Sequence, residues 1–288
     1  TIAGTGTNIS FGLKTVQATY TAVASNTTTT ATSAVLGEPV FIAAPTAPSI
    51  TVQPVSAVAA TNSVVVYSLT GAGDVATYAW YRNGVALTNG GQYSGVDTAE
   101  LKISPVLASN AATTANGYYC VLTGICGNQA ISTTNALTIQ VARNLVWQGN
   151  GTNAWDIATT ANWTNSAGAA VTFLQGDNVT LDDTAVDPGL AKVSPFLSPG
   201  TITLNASGLM GIGGSGDIAG PNTSLIVNGA TLNSKLVISN ANSFAGGTLI
   251  NNGWVELRNL EGLGTGVITL GGSGASLLDV VPAGSASS

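Results

Sequence analysis

Hydrophobic positions in this chain come as short runs separated by Gly, Asn, Thr or Pro, and the runs recur about every ten residues. Typical examples are "SITVQPV", "SVVVYSL", "AELKISPV", "TITLN", "SLIVN" and "KLVIS". No stretch places apolar residues at the three- and four-residue spacing of an amphipathic helix, and few capping boxes lead into an apolar stripe. The pattern predicts an all-β protein, built as a sandwich, a solenoid or both.

Residues 1–45 hold two alternating segments, "ATYTAVASN" and "TSAVLGEPVFIAA", around the low-complexity "NTTTTATS". Two strands cannot close a core. This region reads as a partial β-sandwich or as a strand-donating segment that completes another chain. The prolines of "APTAPS" at 44–49 mark a linker, because proline stiffens the chain and interrupts strand pairing. Residues 46–141 then give about six strands, with Trp80 on one and an Asn83-Gly84 hairpin turn just after it. Tyr118 precedes Cys120 by two positions, so both face one side of a strand. With the core Trp, the "NGYYC" run and the strand spacing, this region resembles an immunoglobulin-like domain of bacterial surface proteins. It departs from antibody domains at the strand carrying Val64, Val65, Val66 and Tyr67, where they place the first cysteine of an inter-sheet disulfide. If Leu122-Thr123-Gly124 formed a three-residue hairpin loop with Gly124 left-handed, Cys120 and Cys126 would face each other. A cross-hairpin disulfide is therefore expected, with two separate thiols as the alternative.

Residues 142–288 open with Trp147, Trp155 and Trp163 at eight-residue spacing and continue as short strands between Gly turns. The opening segment and the "NSFAGGTLINNG…LGTGVITL" run at 242–270 resemble the autotransporter-associated β-strand repeat, over roughly 145–278. The resemblance implies a right-handed parallel β-solenoid, and hence an elongated molecule. Elementary physics agrees: each apolar run supplies one or two inward side chains, and a rung that cannot bury its own face is stabilised by stacking neighbours. Asn205, Asn228 and Asn251, which follow strands, suit left-handed corners or hydrogen-bonded ladders between rungs. The three tryptophans suit an N-terminal cap, with a carbohydrate-stacking platform as the rival.

Composition narrows the chemistry. Only 7% of residues are charged, histidine is absent, and the net charge is −6. Mean hydropathy is +0.35, yet no run reaches the ~20 apolar residues of a spanning helix. The seven Lys and Arg do not cluster along the chain, so a nucleic-acid footprint is missing. The opening "TIAGTGTNIS" lacks signal-peptide features, so a leader was removed or the chain is a piece of something longer. Without histidine there is no Ser-His-Asp or Cys-His arrangement. Asp177, Asp182, Asp183 and Asp187 are the one credible set of carboxylates, for glycan chemistry or for calcium; the alternative is turn formation within "GDNVTLDDTAVDPG". "GIGGSG" at 211–216 lacks the Lys and the helix of a phosphate loop. Sequons place candidate N-glycosylation at Asn8, Asn26, Asn150, Asn162, Asn178, Asn205 and Asn222, and residues 26–33 could carry O-linked sugar.

These readings lead to a secreted or cell-surface structural protein that is not an enzyme and has no cofactor or metal. It is expected to be a fibre, filament or layer subunit whose copies assemble head to tail through β-strand contacts. The alternative is the adhesin passenger region of a large autotransporter-like bacterial surface protein, binding surface glycans or another surface. A polysaccharide-active enzyme built on Asp182 and Asp183 is the remotest option.

Overall fold

The computed structural model describes residues 23–25, 32–34, 45–149, 151–187, 189–231, 233–271 and 275–281. Val23–Ser25 and Thr32–Ala34 pair as a short antiparallel ladder; apart from these and Pro45, the expected 1–45 segment lies outside the described residues. No α-helix occurs among the described residues, and one 3-10 turn spans Ala108–Asn110.

The first body is an immunoglobulin-like sandwich. In one layer Val65–Ser68 pairs with Glu100–Ile103, which pairs with Tyr93–Ser94, while Ser49–Val52 pairs with Thr70–Ala72. The other layer runs Gln129–Ile131, Tyr118–Gly124, Val75–Arg82, Val85–Ala86. Ala57–Ala60 adds in parallel to Leu137–Gln140. Alternation decides what lies inside: Tyr118, Cys120 and Leu122 are buried, while Tyr119 and Val121 between them are half-buried on the outer face. The Tyr67 ring stacks on Tyr118 at 5.3 Å and lies 6.3 Å from Trp80, filling the space of the missing inter-sheet disulfide. The Tyr118 hydroxyl donates to the Asn110 carbonyl at 3.0 Å, a tyrosine corner. Asn83 and Gly84 take positive φ (50° and 75°), which the two-residue hairpin turn between Val75–Arg82 and Val85–Ala86 requires.

The second body is a parallel β-solenoid. Sheet I stacks Asn144–Trp147, Asn178–Leu181, Thr201–Leu204, Ser224–Asn228, the first half of Thr248–Leu257, and Ile268–Leu270. Sheet II stacks Ala154–Trp155, Leu190–Val193, Leu209–Gly214, Lys235–Ile238, the second half of Thr248–Leu257, and Ser276–Val280. A small third sheet pairs Phe196–Leu197 with Asp217–Ile218. In sheet I, Val179 lies beside Ile202, Ile202 beside Leu225 and Leu225 beside Thr248, each 23 residues on. Inward columns such as Leu181, Leu204, Val227 and Ile250 are fully buried. Each such side chain contributes about 2 kcal/mol by burial, but only when its neighbouring rungs are in place.

Glycines rather than asparagines take the left-handed corners. Gly214, Gly247 and Gly253 have φ near +100°, whereas Asn205, Asn228 and Asn251 are absent from the positive-φ residues. The ladder expectation holds in part: the Asn251 amide donates to Asn228 Oδ1 at 2.8 Å, and Asn178 to Asn144 Oδ1 at 3.1 Å. Asn205 is exposed. At the N-terminal end Trp163–Thr164 pairs antiparallel with Asn144–Trp147 and with Ala170–Val171. Trp147, Trp155, Trp163 and Phe173 pack edge-to-face and are at most 1% exposed. That burial seals the solenoid and leaves no ring face for a sugar, so the platform reading of these three tryptophans is overturned.

The two bodies are bonded to each other. The Ala60 amide donates to the Gln175 carbonyl at 2.8 Å, and the Val64 amide to Ser198 Oγ at 3.1 Å. Gly176 sits at this joint with φ +88°, and a Cβ there would meet the Ala60 Cβ at 2.7 Å. Only glycine meets both demands.

Candidate functional site

The expected disulfide is not formed; both cysteines are free, Cys120 buried and Cys126 exposed. The physical reason is register. Tyr118–Gly124 continues as a strand through the supposed loop because it pairs with Val75–Arg82 along its whole length. The turn falls later, at residues 125–128, with Gly127 left-handed at φ +84° and the Gly124 amide donating to the Asn128 carbonyl. Cys120 therefore faces Ser132, whose hydroxyl accepts its amide hydrogen at 2.9 Å. Burial pushes the Cys120 thiol up to about 11.

The four candidate carboxylates do not converge. Asp177 is wholly buried at the joint, where it meets the Arg143 guanidinium at 2.5 Å and accepts the Arg143 and Leu174 amides. Asp182 folds its own turn by accepting from Thr184. Asp183 accepts the Ser207 amide from the next rung, which holds its carboxyl below the ordinary value. Asp187 accepts from Gly189 and Asn153. No group of three metal-ligating side chains occurs among the described residues.

The sequons divide by burial. Asn8, Asn26 and Asn150 lie outside the described residues. Asn162 is buried beneath the tryptophan cap, its amide donating to the Ala154 carbonyl at 2.8 Å. Asn178 is half-buried in a ladder. Asn205 and Asn222 are exposed, and Asn222 lines the shallow cleft between the sandwich and the solenoid.

The functional-looking residues that sequence reasoning missed lie on the outer face of sheet II. Inward burial of Ala191, Val193, Leu236, Ile238, Val255 and Leu257 turns Lys192, Lys235, Trp254 and Glu256 outward. Arg258 follows Glu256 by two and points to the same face. Lys192, Lys235 and Arg258 are all the basic residues after Arg143, and a single sheet face collects them. Lys235 ion-pairs with Glu256, and Arg258 Nε meets the same carboxylate at 2.7 Å. These two bonds hold Glu256, only 2% exposed, below the ordinary carboxylate range. The Lys235 ammonium also lies 3.8 Å from the centre of the Trp254 ring, a cation–π contact. Asp279 sits beside Glu256 on the next rung. No fixed repeat in the sequence could have aligned them: sheet II steps from Lys192 to Gly213, from Leu209 to Lys235 and from Lys235 to Trp254, which are 21, 26 and 19 residues.

No family model matches the chain. No curated protein matches it either. Among solved structures, titin domain M4 in its trigonal form is similar over 34% of this chain and 100% of its own, at 22% identity and a TM-score of 0.30. A chimeric titin Z1Z2 is similar over 34% of this chain and 98% of its own, at 27% identity and 0.29. Domain D1 of Duf (Kirre) is similar over 33% and 97%, at 19% identity and 0.28. The immunoglobulin-like sandwich joined to a β-solenoid, compatible with an extracellular structural or adhesive role, rests on the strand pairing and core described above.

Proposed function

We propose that this chain is an extracellular structural subunit whose copies join head to tail through β-strand contacts, forming a fibre, filament or layer at a bacterial cell surface. The observation that carries the reading is the braced joint: the Ala60 and Val64 amides of the sandwich bond the Gln175 carbonyl and the Ser198 hydroxyl of the solenoid, which suits a rod that transmits load. A strand from residues 1–45 of a neighbouring copy would join such rods by strand addition. Ile268, Leu270 and Val280, 45%, 56% and 46% exposed among the described residues, offer that strand an apolar seat. Such a contact is heterologous and does not close on itself, so it propagates. The dispersal of the candidate carboxylates supports a role without catalysis.

Electron microscopy and analytical ultracentrifugation of the purified chain test this. Wild-type protein is expected to form concentration-dependent linear assemblies, and Ile268→Lys with Leu270→Lys to remain monomeric with an unchanged melting temperature. Dispersed wild-type monomers at high concentration would sink the assembly reading. The adhesin alternative is favoured by a different observation, the cationic and aromatic outer face of sheet II.

A further inference from the structure

We propose that the outer face of sheet II is a binding site for a linear acidic polysaccharide, such as a uronic-acid polymer. The inference deepens the adhesive reading and is independent of the filament.

Three observations combine. The first is charge placement. In a chain of net charge −6, every basic residue of the solenoid beyond Arg143 lies on this face. Lys192 is exposed, its ammonium in no ion pair among the described residues, and the Arg258 side chain is 51% exposed although it pairs with Glu256. Both keep donors for an incoming carboxylate.

The second is relief. Lys192, Gly213, Ser239 and Arg258 follow one another up one side of the face, one per rung. Leu209, Lys235, Trp254 and Leu277 do the same on the other side. Between them run Leu190, Gly211, Val237, Glu256 and Asp279, of which Val237 and Glu256 are buried while Leu190 leans over Gly211 and Gly213. The result is a strip along the solenoid axis with cations on both sides of its centre line. Its rungs are spaced by about 4.8 Å, close to the length of a pyranose unit, so a polymer can present one ring to each rung.

The third is apolar surface. Leu277, 52% exposed, lies beside the half-buried Trp254 in its column, and Leu209, 61% exposed, lies on the far side of Lys235. The C–H faces of sugar rings pack on such surface, while Asp279 is placed to accept from hydroxyls. Glu256 is already paired with Lys235 and Arg258, so of the two carboxylates on this face only Asp279, one rung further on, opposes an incoming anion.

Affinity electrophoresis and titration calorimetry of the whole chain with polygalacturonate, with dextran as the neutral polymer and phosphatidylglycerol vesicles as the lipid surface, test the proposal. Expected are retention by polygalacturonate alone, loss of that retention at high salt, and weakening of about threefold or more in Lys192→Gln. Arg258→Gln is expected to weaken binding further. Because that change also strips a partner from Glu256, Lys192→Gln, which breaks no ion pair, is the deciding variant. Unchanged polygalacturonate binding in Lys192→Gln with native melting would overturn the site. Equal retention by dextran would overturn the acidic specificity while leaving adhesion standing. Binding to vesicles alone, or to none of the three, would overturn the polysaccharide assignment. The Ile268→Lys and Leu270→Lys variant separates this site from the assembly reading, since it is expected to bind polygalacturonate as wild type.

Discussion

Cys120 and Cys126 are six positions apart and live in different chemical surroundings. Cys120 points into the sandwich core beside Leu122, and its thiolate would have to form without water. Cys126 sits at a hairpin tip in solvent. A thiol reagent is therefore expected to label one cysteine in the native protein at neutral pH and two after denaturation, read by mass spectrometry. The same burial gives a pH dependence. The Cys120 thiol titrates near 9 when unfolded and near 11 when folded, so the folded state holds the proton more tightly. That contribution to stability is present below pH 9 and is lost as the pH rises through about 11. Tyr67 and Tyr118, raised by burial in the same core, push in the same direction at still higher pH. Cys120→Val is expected to flatten the first part of the alkaline decline in a melting-temperature series. Labelling of both cysteines in folded protein would contradict this account.

At the scale of elements, the outer face of sheet II ties rungs together by charge where its inner face ties them by packing. The Lys235–Glu256 pair joins two adjacent strands, and Arg258 locks the same carboxylate from its own strand. Isolated surface pairs contribute little, but Glu256 is almost wholly enclosed and would be costly to strand without partners. Its carboxyl is held below the ordinary glutamate value of about 4.5 by the bonds from Lys235 and Arg258. The stabilisation is therefore present above pH about 4.5 and lost as the pH falls through the depressed value. Acid unfolding of the solenoid should be less steep below pH 4.5 in Glu256→Gln, even though that variant melts lower at neutral pH. Identical acid profiles, followed by circular dichroism, would show that other carboxylates govern the transition.

For the whole molecule, the decisive feature is the joint between two bodies that could have been merely tethered. Asp177 draws together Arg143 of the connecting segment and the Leu174 amide of the solenoid, while Gln175 and Ser198 bond to the sandwich backbone. Asp177→Asn leaves Arg143 without its charge partner and is expected to cost about 3 kcal/mol, seen as a lower melting temperature. Small-angle scattering should show a broader range of sandwich–solenoid orientations in the same variant. An unchanged scattering profile would mean that the backbone bonds of Ala60 and Val64 suffice to hold the joint.

Much of this architecture was legible in the chain itself. Period-two alternation around Tyr118 and Cys120, the Asn83-Gly84 turn and the short apolar runs after residue 200 are local signals, and local stereochemistry enforces them. What only the tertiary structure decided were relations between distant rungs and strands. Pairing with Val75–Arg82 carried Tyr118–Gly124 past the point where a turn was expected, and so separated the cysteines. Corner lengths vary from coil to coil: Leu145 lies beside Val179 but Val179 beside Ile202. Stacking order therefore cannot be counted along the chain, and three scattered cations come onto one sheet face only after the coils close. Asp177 read as a turn acid because its partner Arg143 lies 34 residues away. Local sequence dictates which residues form strands; long-range hydrogen bonding and burial dictate which strands meet.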